Sequence, residues 1–169
     1  MPNLENIPAY YQGYVALVKS ESVIDALQEG FTETLVKLRS IPLQKLDTAY
    51  EEGKWTPKQL VQHLIDVERI LSQRALRFGR HDMTQLPGFD HDAYAERYEL
   101  SHRDFTDMVD ELDFVRKATL SLFKSFTEKE LQREGFANGM VLSVENQGFV
   151  IAGHTLHHYN ILLERYDIA

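Results

Sequence analysis

Apolar residues recur at steps of three and four along four long stretches of the chain, with polar residues between them. This spacing is typical of amphipathic α-helices. It predicts helices over residues 22–38, 57–79, 101–123 and 143–166, after a short helix that ends near Lys19. Gly30 falls inside the first long stretch, where a glycine weakens a helix, but the apolar pattern continues on both sides of it.

Capping residues mark where several of these helices begin. Thr56 can cap the second long helix, because Pro57 suits the first helical position and Gln59 completes a capping box. The same type of signal begins the third long helix and a short helix that stops near residue 135. The two signals are Ser101 with Asp104, and Thr127 with Glu130.

The segments between the helices contain turn-forming residues. Residues 41–54 and 80–100 each include proline and glycine and are predicted to be connectors. Asn138-Gly139 predicts a tight turn, and residues 140–144 are the one short candidate for a strand. The predicted fold class is therefore all-α, a four-helix bundle in a single domain over residues 1–169.

Composition and charge narrow the function classes. The chain has 169 residues, of which 43% are hydrophobic, and this suits one globular domain. Its formal net charge of −8 argues against binding to nucleic acid. No apolar run approaches the ~20 residues of a membrane helix, and the first residues show no secretory signal. The absence of cysteine excludes disulfides and thiolate metal ligands and fits a cytoplasmic location.

Three of the seven histidines lie within five residues, at His154, His157 and His158. Residues four apart lie on one face of a helix, so His154 and His158 can direct two imidazoles at one metal ion. His154 and His157, three apart, form a second possible pair, and spacing does not choose between the two. Neutral imidazole is a common ligand of zinc, nickel and related ions.

His63 is the candidate for a third ligand. It lies roughly 9 Å into its predicted helix, and His158 lies roughly 12 Å before the end of the last helix. If the two helices are antiparallel neighbours, the three histidines lie at one level of the bundle. Three protein ligands would leave coordination positions open for water or substrate, as in catalytic metal sites.

Three segments of the chain resemble the DinB-like superfamily, in the same order along the sequence. The first is WTPKQLVQHLIDVER at residues 55–69, which contains His63. The second is RALRF at 74–78 followed by LPGFD at 86–90, and the third is AGHTLHHYNI at 152–161. The resemblance covers about residues 8 to 166.

This resemblance implies a four-helix bundle of up-down-down-up topology, with a long crossover between the second and third helices. The metal triad of the family corresponds to His63, His154 and His158, which selects the 154/158 pair. The resemblance also implies one divalent metal ion, typically zinc or nickel, and a homodimer. Characterised relatives include metal-dependent transferases and isomerases that use low-molecular-weight thiols. The name of the family refers to expression induced by DNA damage and not to DNA binding.

The predicted topology suggests further residues near the metal. The crossover would return to the metal end of the bundle, which would place Tyr94, Tyr98 and His102 near the mouth of the site. Asp66, three residues after His63, is placed to accept the second N–H of a ligand histidine, although pairing with Arg69 is an equal alternative.

Two arginines and the tryptophan are given structural roles. Arg74 lies eleven residues after His63, about 16 Å along the helix, which is too far to touch the metal. Arg74 and Arg77 are predicted to form buried ion pairs rather than to bind substrate. Trp55 is interpreted as a packing residue before the start of its helix.

Two functions from different classes fit these patterns. The first is a metal-dependent enzyme, in which the metal lowers the pKa of a bound thiol or water. It would be a transferase that uses a low-molecular-weight thiol on a small-molecule substrate, or a hydrolase. The second is a non-catalytic metal-binding protein of the stress response. No general base can be identified from the sequence, and a di-iron bundle is disfavoured because the Glu-x-x-His motifs are absent.

Overall fold

The computed structural model describes residues 2–166. The predicted single domain also includes residues 1 and 167–169, which lie outside the described residues. In chain order the elements are α1 (Ala9–Val15), α2 (Val23–Gln28), α3 (Phe31–Arg39), α4 (Pro57–Gly79), α5 (His91–Glu96), α6 (Phe105–Lys124), α7 (Glu128–Leu131), β1 (Glu134–Ala137), β2 (Met140–Ser143) and α8 (Val144–Arg165). Short 3₁₀ turns lie at Leu4–Asn6 and Leu43–Lys45. The principal helices of the bundle are α4, α6, α8 and the consecutive pair α2–α3.

The ends of α4 and α8 agree with the sequence prediction. At the start of α4, the Thr56 hydroxyl accepts the N–H of Gln59, and the Gln59 side chain accepts the N–H of Thr56. This reciprocal pair is the predicted capping box. Ser143 caps α8 by accepting the N–H of Asn146. Local hydrogen bonds therefore fix the register of the two helices that carry the candidate metal ligands.

The first long helix of the prediction is wrong, because the structure divides it at Gly30. This residue has φ +66°, which lies in the left-handed region, and a Cβ added there would lie 2.9 Å from Leu156 Cδ2. The preceding short helix ends at Val15 rather than near Lys19. The Glu29 carboxylate accepts the backbone N–H groups of Lys19 and Ser20, which takes these N–H groups away from any helix.

Three further boundaries differ from the prediction. The third long helix begins at Phe105 rather than near Ser101, because Asp104 itself caps it through the N–H groups of the second and third helical residues. The helix that was predicted to reach residue 135 ends at Leu131. The predicted connector at 80–100 contains the short helix α5.

A two-stranded antiparallel hairpin adds β structure that the all-α prediction did not include. Strand β2 covers most of the short candidate at 140–144, and its partner β1 precedes the turn. Asn138 and Gly139 form the predicted turn, both with positive φ, at 53° and 75°. An Asn-Gly pair suits this turn because both residues tolerate the left-handed region.

Side-chain contacts give the direction of each principal helix. Helices α4 and α6 are parallel, since Gln62 bonds Arg103 before α6, while Gly79 lies against Phe126 after it. Helix α8 runs antiparallel to α4, since the residue after α8 bonds the chain just before α4. Helix α3 runs antiparallel to α6, since the end of α3 pairs with the first two turns of α6. The predicted up-down-down-up bundle is confirmed, with residues 80–104 as the crossover between the two parallel helices.

Two apolar clusters fill the bundle. One packs around the first half of α4 and includes Leu64, Ile65 and Leu112. The other packs around its second half and includes Leu71, Phe78 and Phe123. Among residues 2–166, no helix is long and apolar enough to cross a membrane.

Candidate metal centre

Helices α4 and α8 bring the three predicted histidines to one level of the bundle. His63 lies in the second turn of α4, and His154 and His158 lie one turn apart on α8. Because the two helices are antiparallel and in contact, the imidazole of His63 lies opposite the other two. All three side chains are buried, each less than 10% exposed.

The three imidazoles converge through their Nε2 atoms. Nε2 of His63 lies 3.0 Å from Nε2 of His154, which lies 3.1 Å from Nε2 of His158. One ring nitrogen from each of the three residues can be chosen so that all lie within 4.8 Å of one another. No other histidine, among the residues that the structure describes, completes a group of this kind.

This geometry fits a divalent metal ion. Nitrogens bound to one ion at ~2.0–2.1 Å lie about 3 Å apart, and the observed separations are close to that value. Three imidazoles suit zinc, nickel, copper or iron. His158 Nδ1 is buried and has no hydrogen-bond partner among residues 2–166, so no carboxylate or carbonyl oxygen of the described residues accepts a second N–H of this ring.

Burial keeps the three imidazoles neutral. It is the main reason that the pKa of His63 falls to about 3, and the neighbouring His91 and His157 lower it further. Burial also lowers the pKa of His154 and of His158 well below the ordinary value. A metal ligand must be deprotonated, so the fold holds all three side chains in the state that binds a metal.

The histidines open into a cavity of about 240 Å³. Trp55 covers His63 at 4.5 Å between ring centroids and stacks on His158 at 6.2 Å. Tyr14 of α1 contacts the edge of His154 at 5.4 Å. A Cβ added at Gly153 would lie 2.2 Å from the Tyr14 carbonyl oxygen, so this glycine allows α1 to lie directly against the metal-bearing helix.

Asp66 follows His63 by three residues in α4 but does not line the cavity. Its carboxylate accepts hydrogen bonds from Gln62 Nε2 at 2.9 Å and from the Tyr98 hydroxyl at 3.0 Å. Burial raises the pKa of Tyr98, and the neighbouring Asp66 carboxylate raises it further. Among the described residues Asp66 has no hydrogen bond to His63 and no ion pair with Arg69, which pairs with Glu111 instead.

The crossover does return to the metal end, but the histidine that it brings to the cavity is not the predicted one. Tyr94 is 40% exposed and packs on Phe89, and His102 is exposed in the turn before α6. Neither residue lines the cavity. His91, at the start of α5, does line it, with its ring 5.7 Å from that of His63.

His91 and Trp55 line the cavity, and the sequence analysis assigned neither of them to the site. Trp55 carried a usable signal, since it stands immediately before the N-cap of the helix that holds His63. His91 carried none, because its position depends on the path of the crossover and not on a periodic pattern.

A buried ion pair supports α8 beneath the centre. The Arg116 guanidinium donates to both carboxylate oxygens of Glu68, at 2.8 Å each, and to the Thr155 hydroxyl at 2.8 Å. Thr155 follows the candidate ligand His154 directly. The position of this turn of α8 is therefore tied to α4 and α6 by hydrogen bonds as well as by packing.

Comparison with known proteins agrees with this architecture. The chain is 26% identical over 133 residues to a protein of Oceanobacillus iheyensis named as a candidate metal-dependent hydrolase. The aligned residues cover 77% of this chain and 76% of the relative. The structure is similar to that of YfiT from Bacillus subtilis, described as a candidate metal-dependent hydrolase with an unusual four-helix-bundle topology. The TM-score is 0.74 at 21% identity, over 86% of this chain and 84% of YfiT.

A second Bacillus subtilis structure, the DinB-like protein YjoA, gives a TM-score of 0.59 at 13% identity, over 83% of this chain and 87% of YjoA. Both structural likenesses concern the fold. The family model of the DinB superfamily matches residues 26–162, a range that includes all three histidines, the whole of α3, α4 and α6, the end of α2 and most of α8. The chain therefore belongs to the DinB superfamily.

Proposed function

We propose that this protein is a metal-dependent hydrolase that binds one divalent ion, zinc or nickel, through His63, His154 and His158. The observation that supports this most is the convergence of three buried, neutral imidazoles on the wall of a cavity. The relative from Oceanobacillus iheyensis is named as a hydrolase of this type, which favours hydrolysis over the other reactions considered.

The arrangement suits catalysis more than a structural metal. His63, His154 and His158 would hold the ion, and the ion would supply Lewis-acid chemistry that lowers the pKa of a water molecule. His91 is not among the three ligands, and its ring lies 5.7 Å from that of His63 on the wall of the same cavity. Imidazole is the side chain that most often transfers protons in enzymes, so we assign His91 the role of proton acceptor.

The cavity selects a small substrate. Its volume of about 240 Å³ is far below what a folded partner would need, and aromatic side chains form much of its wall. Trp55, Tyr10 and Tyr14 offer flat apolar surfaces next to the histidines. These residues would exclude bulk water and orient the substrate towards the metal.

The predicted thiol transfer stays a prediction, because no contact among the described residues favours a thiol over another ligand. The alternative of a metal-binding protein without catalysis also stays open to test. Both share the same metal site with the hydrolase, so one set of variants separates the three.

The first experiment measures metal content and hydrolysis in protein purified without an affinity tag. We expect about one zinc or nickel ion per chain in the wild type and in His102→Ala, and loss of the ion in His158→Ala and His154→Ala. His102 is a matched control because it is an exposed histidine outside the cavity. No bound metal after reconstitution with either ion would overturn the proposal.

Activity is then measured on small esters, amides and phosphate esters, with and without an added thiol. The hydrolase proposal requires turnover that is lost in His158→Ala and strongly reduced in His91→Ala, with metal retained in His91→Ala. Turnover only in the presence of a thiol would instead identify a transferase. A full metal site without turnover on any substrate would identify a binding protein.

A further inference from the structure

Arg74 is a buried cation on the wall of the cavity. It lies in α4 and is 3% exposed. Its guanidinium donates to the Pro87 carbonyl oxygen at 2.9 Å, and its Cζ lies 5.7 Å from the centre of the Phe89 ring. The predicted buried ion pair is wrong for this residue, since none of the ion pairs within residues 2–166 includes it.

Two other arginines of the bundle differ from Arg74 because each is paired with a carboxylate. Arg116 is as deeply buried as Arg74, and both carboxylate oxygens of Glu68 accept its hydrogen bonds. Arg77, in the next turn of α4, pairs with Asp82 at 2.6 Å. Arginine stays charged in proteins, and burial of a charge without a partner is costly. The lack of a counter-ion at Arg74 therefore points to a partner that is not part of the chain.

The surroundings of Arg74 favour an anion as that partner. None of the residues that line the cavity is acidic, although the protein as a whole carries a net charge of −8. Tyr11 lies beside the guanidinium, where burial raises the pKa of its hydroxyl and the charge of Arg74 opposes that rise. The Tyr11 hydroxyl therefore keeps its proton near neutral pH and can donate it in a hydrogen bond. Asn138, from the hairpin turn, offers an amide on the same wall.

The position of Arg74 also separates it from the candidate ligands. It lies eleven residues after His63, about 16 Å along the helix axis. A long side chain on a helix leans towards the N-terminus, which here is the direction of His63. One elongated small molecule can therefore reach both the guanidinium and the histidines within the same cavity.

We propose that Arg74, with Tyr11, binds the carboxylate or phosphate group at one end of an elongated small substrate. The other end of the substrate then lies at His63, His154 and His158, where the proposed hydrolysis takes place, and this part of the inference rests on the proposed function. The planar guanidinium matches both types of oxyanion through paired hydrogen bonds. The substrate class is thus a small organic anion whose reactive bond lies away from its charged group.

The test is binding of three probes, measured by titration calorimetry: hexanoate, hexyl phosphate and the neutral hexanamide. We expect at least one anion to bind the wild type, and to bind Arg74→Met at least about tenfold more weakly. The comparison of the two anions identifies which oxyanion the site prefers. Hexanamide is expected to bind wild type and Arg74→Met equally weakly. Arg77→Met is the matched control, because Arg77 lies on the same helix but outside the cavity and should leave anion affinity unchanged.

Two further variants keep the test decisive. Arg74→Gln retains a polar side chain and guards against a packing defect in Arg74→Met, and both should match the wild type in circular dichroism and metal content. Anion binding is also compared between His154→Ala and His154→Ala with Arg74→Met. A weaker affinity in the second protein shows that Arg74 binds the anion even if the proposed metal chemistry fails. The proposal is overturned if neither anion binds the wild type, or if either Arg74 variant binds the anions as tightly as the wild type.

Discussion

The single tryptophan of the chain packs against two of the three proposed metal ligands. Trp55 lies 4.5 Å from His63 and 6.2 Å from His158, between ring centroids. Nickel is an open-shell ion and quenches nearby indole fluorescence, whereas zinc has a filled d shell and quenches little. We expect nickel to reduce the emission of Trp55 and to saturate near one equivalent per chain. His154→Ala removes a ligand that has no ring contact with Trp55, so quenching of equal strength in this variant would contradict the assigned centre.

The same histidines give the metal-free protein a pH-dependent stability. In the unfolded chain the pKa of His63 is about 6.5, while in the fold it is about 3. Below pH 6.5 the unfolded chain therefore takes up a proton that the folded chain resists. The free energy of unfolding is therefore highest above about pH 7 and declines as the pH falls from 6.5 towards 3. At pH 5, His63 alone lowers this free energy by about 2 kcal/mol.

Urea denaturation of chelator-treated protein at pH 7.5 and pH 5 measures this effect. His63→Gln cannot titrate, so its loss of stability between the two pH values should be smaller than that of the wild type by about 2 kcal/mol. An equal loss in both proteins would show that His63 is not held neutral by the fold.

At the residue scale, the spacing of His154 and His158 suggested a metal site, and the choice over His157 came from the family resemblance. Helix geometry is local, so a spacing of four residues fixes the relative direction of two side chains. The positions of His91 and Arg74 were beyond this reasoning. The crossover path determines the position of His91. Only the tertiary structure shows that Arg74 has no ion pair within residues 2–166 and that no acidic residue of this range lines the cavity.

At the scale of elements, Gly30 separates α2 from α3 by a left-handed backbone conformation. Gly30→Ala places a Cβ at φ +66° and 2.9 Å from Leu156 Cδ2, so we expect it to destabilise the protein by about 1–2 kcal/mol. Gly13→Ala is the matched control. A Cβ there meets nothing within 4 Å in the interior of α1, and alanine should stabilise that helix by about 0.5–1 kcal/mol.

Urea denaturation of both glycine variants checks this prediction. The two substitutions add the same methyl group, so opposite changes in stability isolate the backbone conformation at Gly30 as the cause. A stabilised Gly30→Ala would mean that α2 and α3 can join into the continuous helix that the apolar pattern predicts.

Elements were predictable where short-range hydrogen bonds define them. The capping boxes at Thr56 and Thr127 involve residues three apart, and both form as predicted. Ser101 failed as a cap because Asp104, closer to the apolar pattern, accepts the N–H groups of the first turn. The first strand of the hairpin gave no signal, since four residues that include Gly135 are too short for an alternating pattern to show.

At the scale of the whole molecule, periodicity predicts four helices but not their directions. The up-down-down-up order was implied by the family resemblance. The contacts of Gln62 with Arg103 and of Gly79 with Phe126 confirm its parallel central pair, and contacts at the ends of α3 and α8 confirm the two antiparallel helices. Two parallel helices need a long connection between them, and residues 80–104 provide one that also delivers Phe89 and His91 to the cavity. The topology thus makes the crossover part of the site. The predicted homodimer stays a prediction.

One buried side chain touches every principal helix. Arg116 of α6 donates to Glu68 of α4, to Thr155 of α8 and, at 2.6 Å, to the Leu27 carbonyl oxygen of α2. Its Cζ also lies 4.3 Å from the ring centre of Phe31 in α3. The buried guanidinium of Arg116 therefore links α6 to the other principal helices, next to the turn of α8 that carries His154.

Removal of one partner of the Arg116–Glu68 ion pair should lower the free energy of unfolding more than removal of both partners. Arg116→Met leaves the Glu68 carboxylate buried without a partner, and we expect a loss of about 3–5 kcal/mol in urea denaturation, with weaker metal binding because Thr155 loses its donor. Arg116→Met with Glu68→Leu replaces the pair by apolar groups and should recover most of that stability. Arg39→Met, which breaks the exposed pair with Asp110, should cost less than about 1 kcal/mol. A double variant as unstable as the single one would show that the hydrogen bonds of Arg116 to Leu27 and Thr155, rather than its charge, hold the four helices together.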